Sequence, residues 1–303
     1  DFIPAITNYT VKDYEGGHQN WACAQGDDGV MYFGNNNGLL VYDGFSWELH
    51  RVPGGYIVRS VFVDGDRVYI GSFEEFGYFI RKTDGQMQYH SLSAGIKDKI
   101  SSNDEIWHIV RLGEKIYFQS FTGWYSYDGK AVSYMDRKSG FRPLYFYTCH
   151  DKVYAQMING GFYEFDGQRF HLLLERTAVG NDNVVAILPY GNSGMVLLTV
   201  DSGLFVYEHG TVSALRTDID AQLRWAKGNR AVMVGDSILA IGTILDGIYG
   251  VDKKGHLLWH LNRDNQLNNN SVMGLFGDRE NNLWAALDDG ISFVHTNTSI
   301  TLL

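Results

Sequence analysis

Proline and cysteine are scarce in this chain: 303 residues hold 4 prolines and 2 cysteines. No CxxC pair occurs, which excludes zinc-ribbon and thioredoxin-type motifs. Cys23 and Cys149 fall in non-adjacent units of the repeat described below, beyond the reach of a disulfide. No run approaches the roughly 18 consecutive apolar residues of a membrane helix. Positive charge is also in the minority, with 25 Lys and Arg against 35 Asp and Glu, a net charge of −10. Such a field repels phosphate backbones and argues against nucleic-acid binding. Amphipathic stretches of roughly ten residues, the minimum for helical repeats, are almost absent. Residues 93–99 have room for one turn of helix and no more. The first residue is Asp1 rather than Met, so the chain is read as a mature or excised fragment whose leader has been removed.

Glycine and aromatics are abundant: 35 Gly, 19 Tyr, 17 Phe and 7 Trp. That mixture suits short strands joined by tight turns, because glycine supplies positive φ and aromatic rings fill pleated surfaces. A chain of this length buries roughly 75% of its unfolded surface, so a core forms without covalent staples.

The strands recur. An apolar strand, a short polar stretch, a glycine and an aromatic-rich strand appear seven times, first at 30–34 leading to 38–44. The anchor glycines are Gly38, Gly77, Gly123, Gly161, Gly203, Gly247 and Gly290, spaced 38 to 46 residues apart. A period of about 40–45 residues with four short strands per unit is a propeller pattern. An inner strand precedes each pair (21–24, 58–63, 106–110), and an outer strand follows (47–52). Asp-Gly pairs at 28–29, 43–44, 64–65, 128–129 and 166–167 mark hairpin turns. One such unit cannot bury its own faces, so the ring must close. Too little chain follows Val294 for an outer strand, while 6–11 has no blade of its own. It is expected to pair into blade seven as its fourth strand, which removes two open edges. The expected fold is all-β: a seven-bladed β-propeller over 1–295, four antiparallel strands per blade, with the N-terminal strand closing the last. Residues 296–303 would begin a linker to a downstream domain.

Several propeller families can be compared with this pattern. There is no Trp-Asp dipeptide and no sialidase box. A quinoprotein-like stretch at 251–259 occurs only once. The seventh copy runs Asn270, Ser271, Val272 through Asp278 into Asn282, Leu283, Trp284, Ala285, then Gly290 and Ile291. It resembles the regulator-propeller repeat, with Asn281 or Asn282 where that repeat has glycine. The opening stretch (Asn8, Tyr9, Thr10, Tyr14, Gln19, Asn20, Trp21, 38–44) and 75–79 are similar to its first blades, and the other copies replace the tryptophan by Tyr or Leu. The resemblance implies the periplasmic sensor half of a Bacteroidetes-type hybrid two-component or one-component membrane regulator. Such receptors typically carry two propellers, a triple-tyrosine immunoglobulin-like domain, a transmembrane helix, and a histidine kinase or helix-turn-helix output. Many respond to oligosaccharides from glycan breakdown. It also implies a homodimeric full-length receptor, contact with downstream domains of the same chain, and membrane attachment only through other segments.

For chemistry the residues offer little. No G-x-S-x-G elbow occurs, and the histidines are scattered singly. Glu74 with Glu75 and Asp288 with Asp289 read as turn residues. No catalytic residue, metal site or cofactor is expected. For binding, the loops entering the inner strands and those joining second to third strands lie at one end of the ring, around the channel mouth. The expected ligand platform is Trp21, Arg59, Phe73, Trp107, Arg142, Arg224 and Trp225, with His18, Gln19, Asn35, Asn36, Glu74, Phe121 and Asn159 nearby. Indole rings stack on sugars, and guanidinium forks bind hydroxyls, carboxylates or sulfates. Three arginines at one mouth would suit an anionic ligand. The bland alternative for Trp21 and Trp107 is packing between blades; Arg59 at the same aligned position is harder to explain that way. The main reading is a sensor for an oligosaccharide or other small ligand. A propeller lyase, lactonase or hydrolase, or a purely structural dimerisation domain, are the alternatives.

Overall fold

Each repeat places one strand where neither face meets water. Met31–Asn35, Gly194–Thr199 and Leu283–Leu287 are buried throughout. Arg67–Ser72, Lys115–Ser120, Lys152–Met157 and Ile238–Thr243 are buried apart from their first residue. Strands covered on both faces read as continuous apolar runs rather than alternating ones. Such a strand needs a layer on either side, and neighbouring blades supply it. The computed structural model describes residues 2–135 and 137–297, and these form a seven-bladed β-propeller of seven four-stranded antiparallel sheets.

In blade one the order from the channel outward is Asn20–Gln25, Met31–Asn35, Gly38–Tyr42 and Trp47–His50. Phe33 lies opposite Leu40, and Leu40 opposite Leu49. Seven apolar clusters fill the ring, one at each interface between neighbouring blades. Buried amides clip blades together as well. Gln119 of blade three donates to the carbonyls of Pro143 and Leu144, and its oxygen accepts the Phe146 N–H of blade four. The anchor glycines have a steric reason. At Gly38 (φ +144°) a Cβ would collide with the His50 carbonyl, and at Gly247 (φ +73°) with that of Leu261, where the outer strand ends against the third.

The ring closes as expected. Ala5–Tyr9 pairs antiparallel with Ile291–His295, Ala5 opposite His295 and Tyr9 opposite Ile291. The strand stops at Tyr9 rather than Val11, because the Thr10 N–H and hydroxyl turn back to the Asp13 carboxylate and open a short helix, α1 (Val11–Tyr14). Tyr14 then drops into an aromatic seam with Tyr9, Phe33, Tyr42, Trp47, Trp284 and Phe293. Trp284 meets Phe293 at 4.6 Å and Phe33 at 5.6 Å between centroids. Residues 296 and 297, expected to begin a linker, are tied to blade seven: the Thr296 hydroxyl and the Asn297 amide donate to the carbonyls of Asn281 and Glu280. The remainder of that expected linker, 298–303, lies outside the described residues.

Three local readings change. A helix α2 (Asp220–Ala226) sits between blades five and six, where none was expected. Ile219, Leu223 and Ala226, spaced four and then three apart, bury its inner side. Ala94–Lys99 is a 3-10 segment broken at Ile96, longer than one turn. The Asp-Gly pairs that follow the third strands are not bare two-residue hairpins. Asp43 accepts the N–H groups of Phe45 and Ser46, and Asp128 and Asp166 do the same in their blades. These bonds favour the carboxylate form. The Ser46 and Phe45 amides hold Asp43 below the usual range, as the Ala131 and Lys130 amides hold Asp128. His171 and then the Arg169 and Gln168 amides bring Asp166 down to about 2.

Two predictions follow from this architecture. Trp284→Ala should cost about 3–5 kcal/mol in urea unfolding; a cost below about 1 kcal/mol would mean that the seam relaxes around the loss. The Asp turns contribute stability that is complete above the unfolded carboxylate pKa of about 3.9 and is lost as pH falls through the lower folded values. The melting temperature should therefore drop between about pH 4 and pH 2, and Asp166→Asn should remove part of that drop.

Candidate functional site

Six of the seven inner strands carry a β-bulge near their start. The register shifts fall between Asn20 and Ala22, Val58 and Ser60, Pro143 and Tyr145, Val184 and Ala186, Gly228 and Arg230, and Val272 and Gly274. A bulge re-aims side chains and breaks strict alternation. In blades one and two the extra residues are Trp21 and Arg59. Trp107 stands just before the inner strand of blade three, His108–Leu112, with its N–H bonded to the Gln119 carbonyl. All three line a cavity of about 170 Å³ in the channel, together with His108 and Arg230.

The Arg59 guanidinium carbon lies 4.0 Å from the Trp21 ring centroid and 4.7 Å from that of Trp107. The two indoles meet edge to face at 6.3 Å. Arg59 is also ion-paired with Glu105: its Nε donates to Oε2, and its Nη2 reaches Oε1 at 3.5 Å. Both side chains are largely buried, 15% and 19% exposed. The Arg59 Nη1 is buried and makes no hydrogen bond among the described residues.

The sandwich is braced from the ring seam. The Trp21 indole N–H donates to Asn36 (2.8 Å), Asn36 to Gln19 (2.8 Å), and Gln19 to Asp288 of blade seven (2.7 Å). An aromatic track continues on the other side. Trp107 stacks on Phe121 at 5.3 Å, Phe121 meets Tyr145 at 6.2 Å, and the Arg230 guanidinium sits 5.4 Å over Tyr145. His108 stacks on Tyr145 at 4.5 Å and bonds the Phe146 carbonyl at 2.7 Å. Burial, helped by the Arg230 charge, pushes the His108 pKa down to about 3, so the ring is neutral at ordinary pH.

The expected platform is thus only partly assembled. Trp21, Arg59 and Trp107 converge, and the two tryptophans face the channel rather than filling a blade interface. Phe73 packs against Tyr56 at 5.7 Å outside the cavity, and its backbone bridges that of Glu105. Arg142 is exposed and absent from the cavity wall. Arg224 and Trp225 ride on the outer side of α2, Trp225 being 51% exposed. The mouth formed by three arginines is therefore replaced by Arg59 and Arg230. Glu74 and Glu75 are structural, though not identically. Glu74 accepts the Asn103 N–H, while buried Glu75 accepts from Tyr89, Ser91, Ser93 and Lys97. Asn35 is buried in bonds to Gly17 and Asn20, and His18 pairs with Asp289 in the open. Glu105 and Arg230 were missed. Glu105 lies 46 residues from its partner. Arg230 stands one place further along its strand than Trp21 and Arg59 do, level with Ala22 and Ser60, so comparison of the repeats did not single it out.

Two of the larger spaces carry less. One of about 460 Å³ beside the seam is bordered by exposed Lys12, His18 and Asp289. One of about 570 Å³ is bordered by Arg111 and His150, each with partners of its own.

No family model and no curated protein matches the sequence. In fold the chain is similar to the extracellular domain of BT4673 from B. thetaiotaomicron, described as a hybrid two component system. The TM-score is 0.76 and the identity 18%, over 96% of this chain and 40% of that one. It is similar likewise to the extracellular domain of BT3049 from the same organism, also described as a hybrid two component system (TM-score 0.75, 17% identity, 96% and 42% covered). Virginiamycin B lyase from Staphylococcus aureus shares the fold too, with a TM-score of 0.74 and 11% identity over 97% of this chain and 99% of that one. The chain spans about two fifths of the length of the two extracellular domains. No helix among the described residues is long and apolar enough to cross a membrane.

The ion pair gives a direct expectation. Glu105→Gln leaves the Arg59 charge without its counter-charge and should cost about 3 kcal/mol in urea unfolding. The double variant Arg59→Met with Glu105→Leu should recover most of that loss. A double-variant cost equal to the sum of the two single-variant costs would show that the pair is not coupled.

Proposed function

We propose that this chain is the ligand-sensing propeller of a periplasmic, membrane-anchored regulator, and that its ligand is an oligosaccharide released from larger glycans. The observation that carries this reading is the braced sandwich of Trp21, Arg59 and Trp107 at the channel mouth. Two indoles and a guanidinium held in place before a ligand arrives lose little entropy when it binds. Sugars offer apolar ring faces to indoles and hydroxyls to guanidinium forks. The similarity to extracellular domains of hybrid two component systems supports a sensor in particular. Because the chain spans about two fifths of those domains, the remainder of such a regulator would supply dimerisation, membrane attachment and output.

A propeller lyase has the same fold, so the fold does not decide between binding and turnover. The mouth itself favours binding. Among its titratable groups, His108 is neutral and bonded to the Phe146 carbonyl, Glu105 is engaged by Arg59, and burial keeps the Cys23 thiol protonated. None of these three stands free to move a proton to or from a bound substrate.

A thermal-shift screen against neutral and acidic oligosaccharides tests the reading. A ligand at 100 times its Kd stabilises the fold by about 2.7 kcal/mol, a rise of a few degrees for a chain of this size. The shift should vanish in Trp21→Ala, and the sugar should be recovered unchanged by chromatography. A shift accompanied by a shortened or unsaturated sugar would instead make the protein an enzyme. No shift across the panel would remove the mouth of this propeller as a glycan site.

A further inference from the structure

Donors and acceptors at the channel mouth do not balance. Arg59 Nη1 is buried with no acceptor among the described residues, and a buried donor left so is destabilising. Arg230 has no carboxylate within ion-pair distance among the described residues. Its Nη1 donates to the carbonyl and side-chain oxygens of Asn229, at 2.8 and 3.3 Å. The Glu105 carboxylate is taken up by Nε and Nη2 of Arg59. His108 is neutral and adds no charge. Among the described residues the cavity wall therefore carries two guanidinium groups and no carboxylate, with Glu105 behind it answering Arg59, in a protein whose net charge is −10.

The two guanidiniums are held similarly. Arg59 lies between Trp21 and Trp107, and Arg230 lies over Tyr145. They come from the inner strands of blades two and six and share one cavity wall across the channel. The cavity, about 170 Å³, is smaller than the roughly 300–1,000 Å³ of ordinary small-molecule sites. It takes one group rather than a whole oligosaccharide. A neutral sugar brings hydroxyls that both donate and accept, and so needs acceptors on the wall. This wall offers mainly donors. A carboxylate or sulfate brings acceptors only, and each oxygen can take a charge-assisted bond.

We propose that this cavity is an oxyanion subsite, in which Arg59 and Arg230 together hold a carboxylate or sulfate carried at the end of the ligand. It rests on the reading of the channel mouth as the ligand site, and it adds the ligand's chemical class and direction of entry. The acidic end goes down into the channel, and the following units lie over Trp107, Phe121 and Tyr145.

The test uses the intact chain with digalacturonate, N-acetylglucosamine 6-sulfate, neutral galactobiose and inorganic sulfate, read by calorimetry and by tryptophan fluorescence. At least one acidic sugar should bind ten-fold or more tightly than galactobiose, and its affinity should weaken as sodium chloride is raised. Which one binds separates a carboxylate reader from a sulfate reader. Arg230→Met should remove the preference for the acidic sugar while leaving the fold intact by circular dichroism. Arg230→Lys should restore part of it. Inorganic sulfate should raise the melting temperature of the wild type more than that of Arg230→Met. Equal binding of acidic and neutral sugars, or a preference that survives Arg230→Met, would overturn the subsite and leave the sensor reading standing. Binding of none of the sugars, with sulfate stabilising both proteins alike, would overturn both.

Discussion

The structure depends on the burial of one strand per blade on both of its faces. Met31–Asn35 and its counterparts have no side that tolerates water, so every blade needs two neighbours. Seven blades supply that only if the first touches the last. The outer strand of blade seven is accordingly taken from the N-terminal end of the chain, and the joint is filled with rings, as are the interfaces of blade three, whereas blade six packs on its neighbours mainly through aliphatic side chains. Aromatic pairs add specific geometry to area burial, which suits the one interface that is held together by strands from both ends of the described chain.

Closure also reaches the candidate site. Asp288 of blade seven holds Gln19, which holds Asn36, which holds the Trp21 indole. Trp21 in turn covers one face of Arg59. A polar chain that crosses the seam thus converts a global requirement, ring closure, into the position of one ring at the channel mouth. Elsewhere most buried polar groups are satisfied within the scaffold, Gln222 Oε1 on α2 being an exception. Gln119 and Gln156 each bond the inner strand of the next blade, and Glu75 is surrounded by three hydroxyls and a lysine. Against that background the unmatched Arg59 Nη1 matters at the mouth, since an unpaired polar atom is costly wherever it serves no partner.

Much of the fold was legible because repeats are read by comparison. Gly38 and Gly247 recur for a steric reason that any blade imposes, and Asp43, Asp128 and Asp166 cap the same turn three times. What does not repeat was harder to see. Helix α2 has seven residues, too few for a period to show, and only its packing against blades five and six explains it. Arg142, Arg224 and Trp225 precede inner strands as Trp107 does, yet they face solvent. Position along a repeat gives the end of the ring, but not whether a side chain turns inward.

Local rules of chain chemistry settled the strands, their turns, their number and the pairing of the N-terminal strand, because alternation, glycine sterics and edge protection act over a few residues. Only the tertiary structure decided which charges meet. Arg59 and Glu105 are 46 positions apart, and Arg59 and Arg230 belong to blades on different sides of the channel. The bulge at Arg59 shifts the alternation by one residue, and a shift of one reverses the face on which a strand residue lies. That reversal is a property of paired strands rather than of any single stretch of sequence.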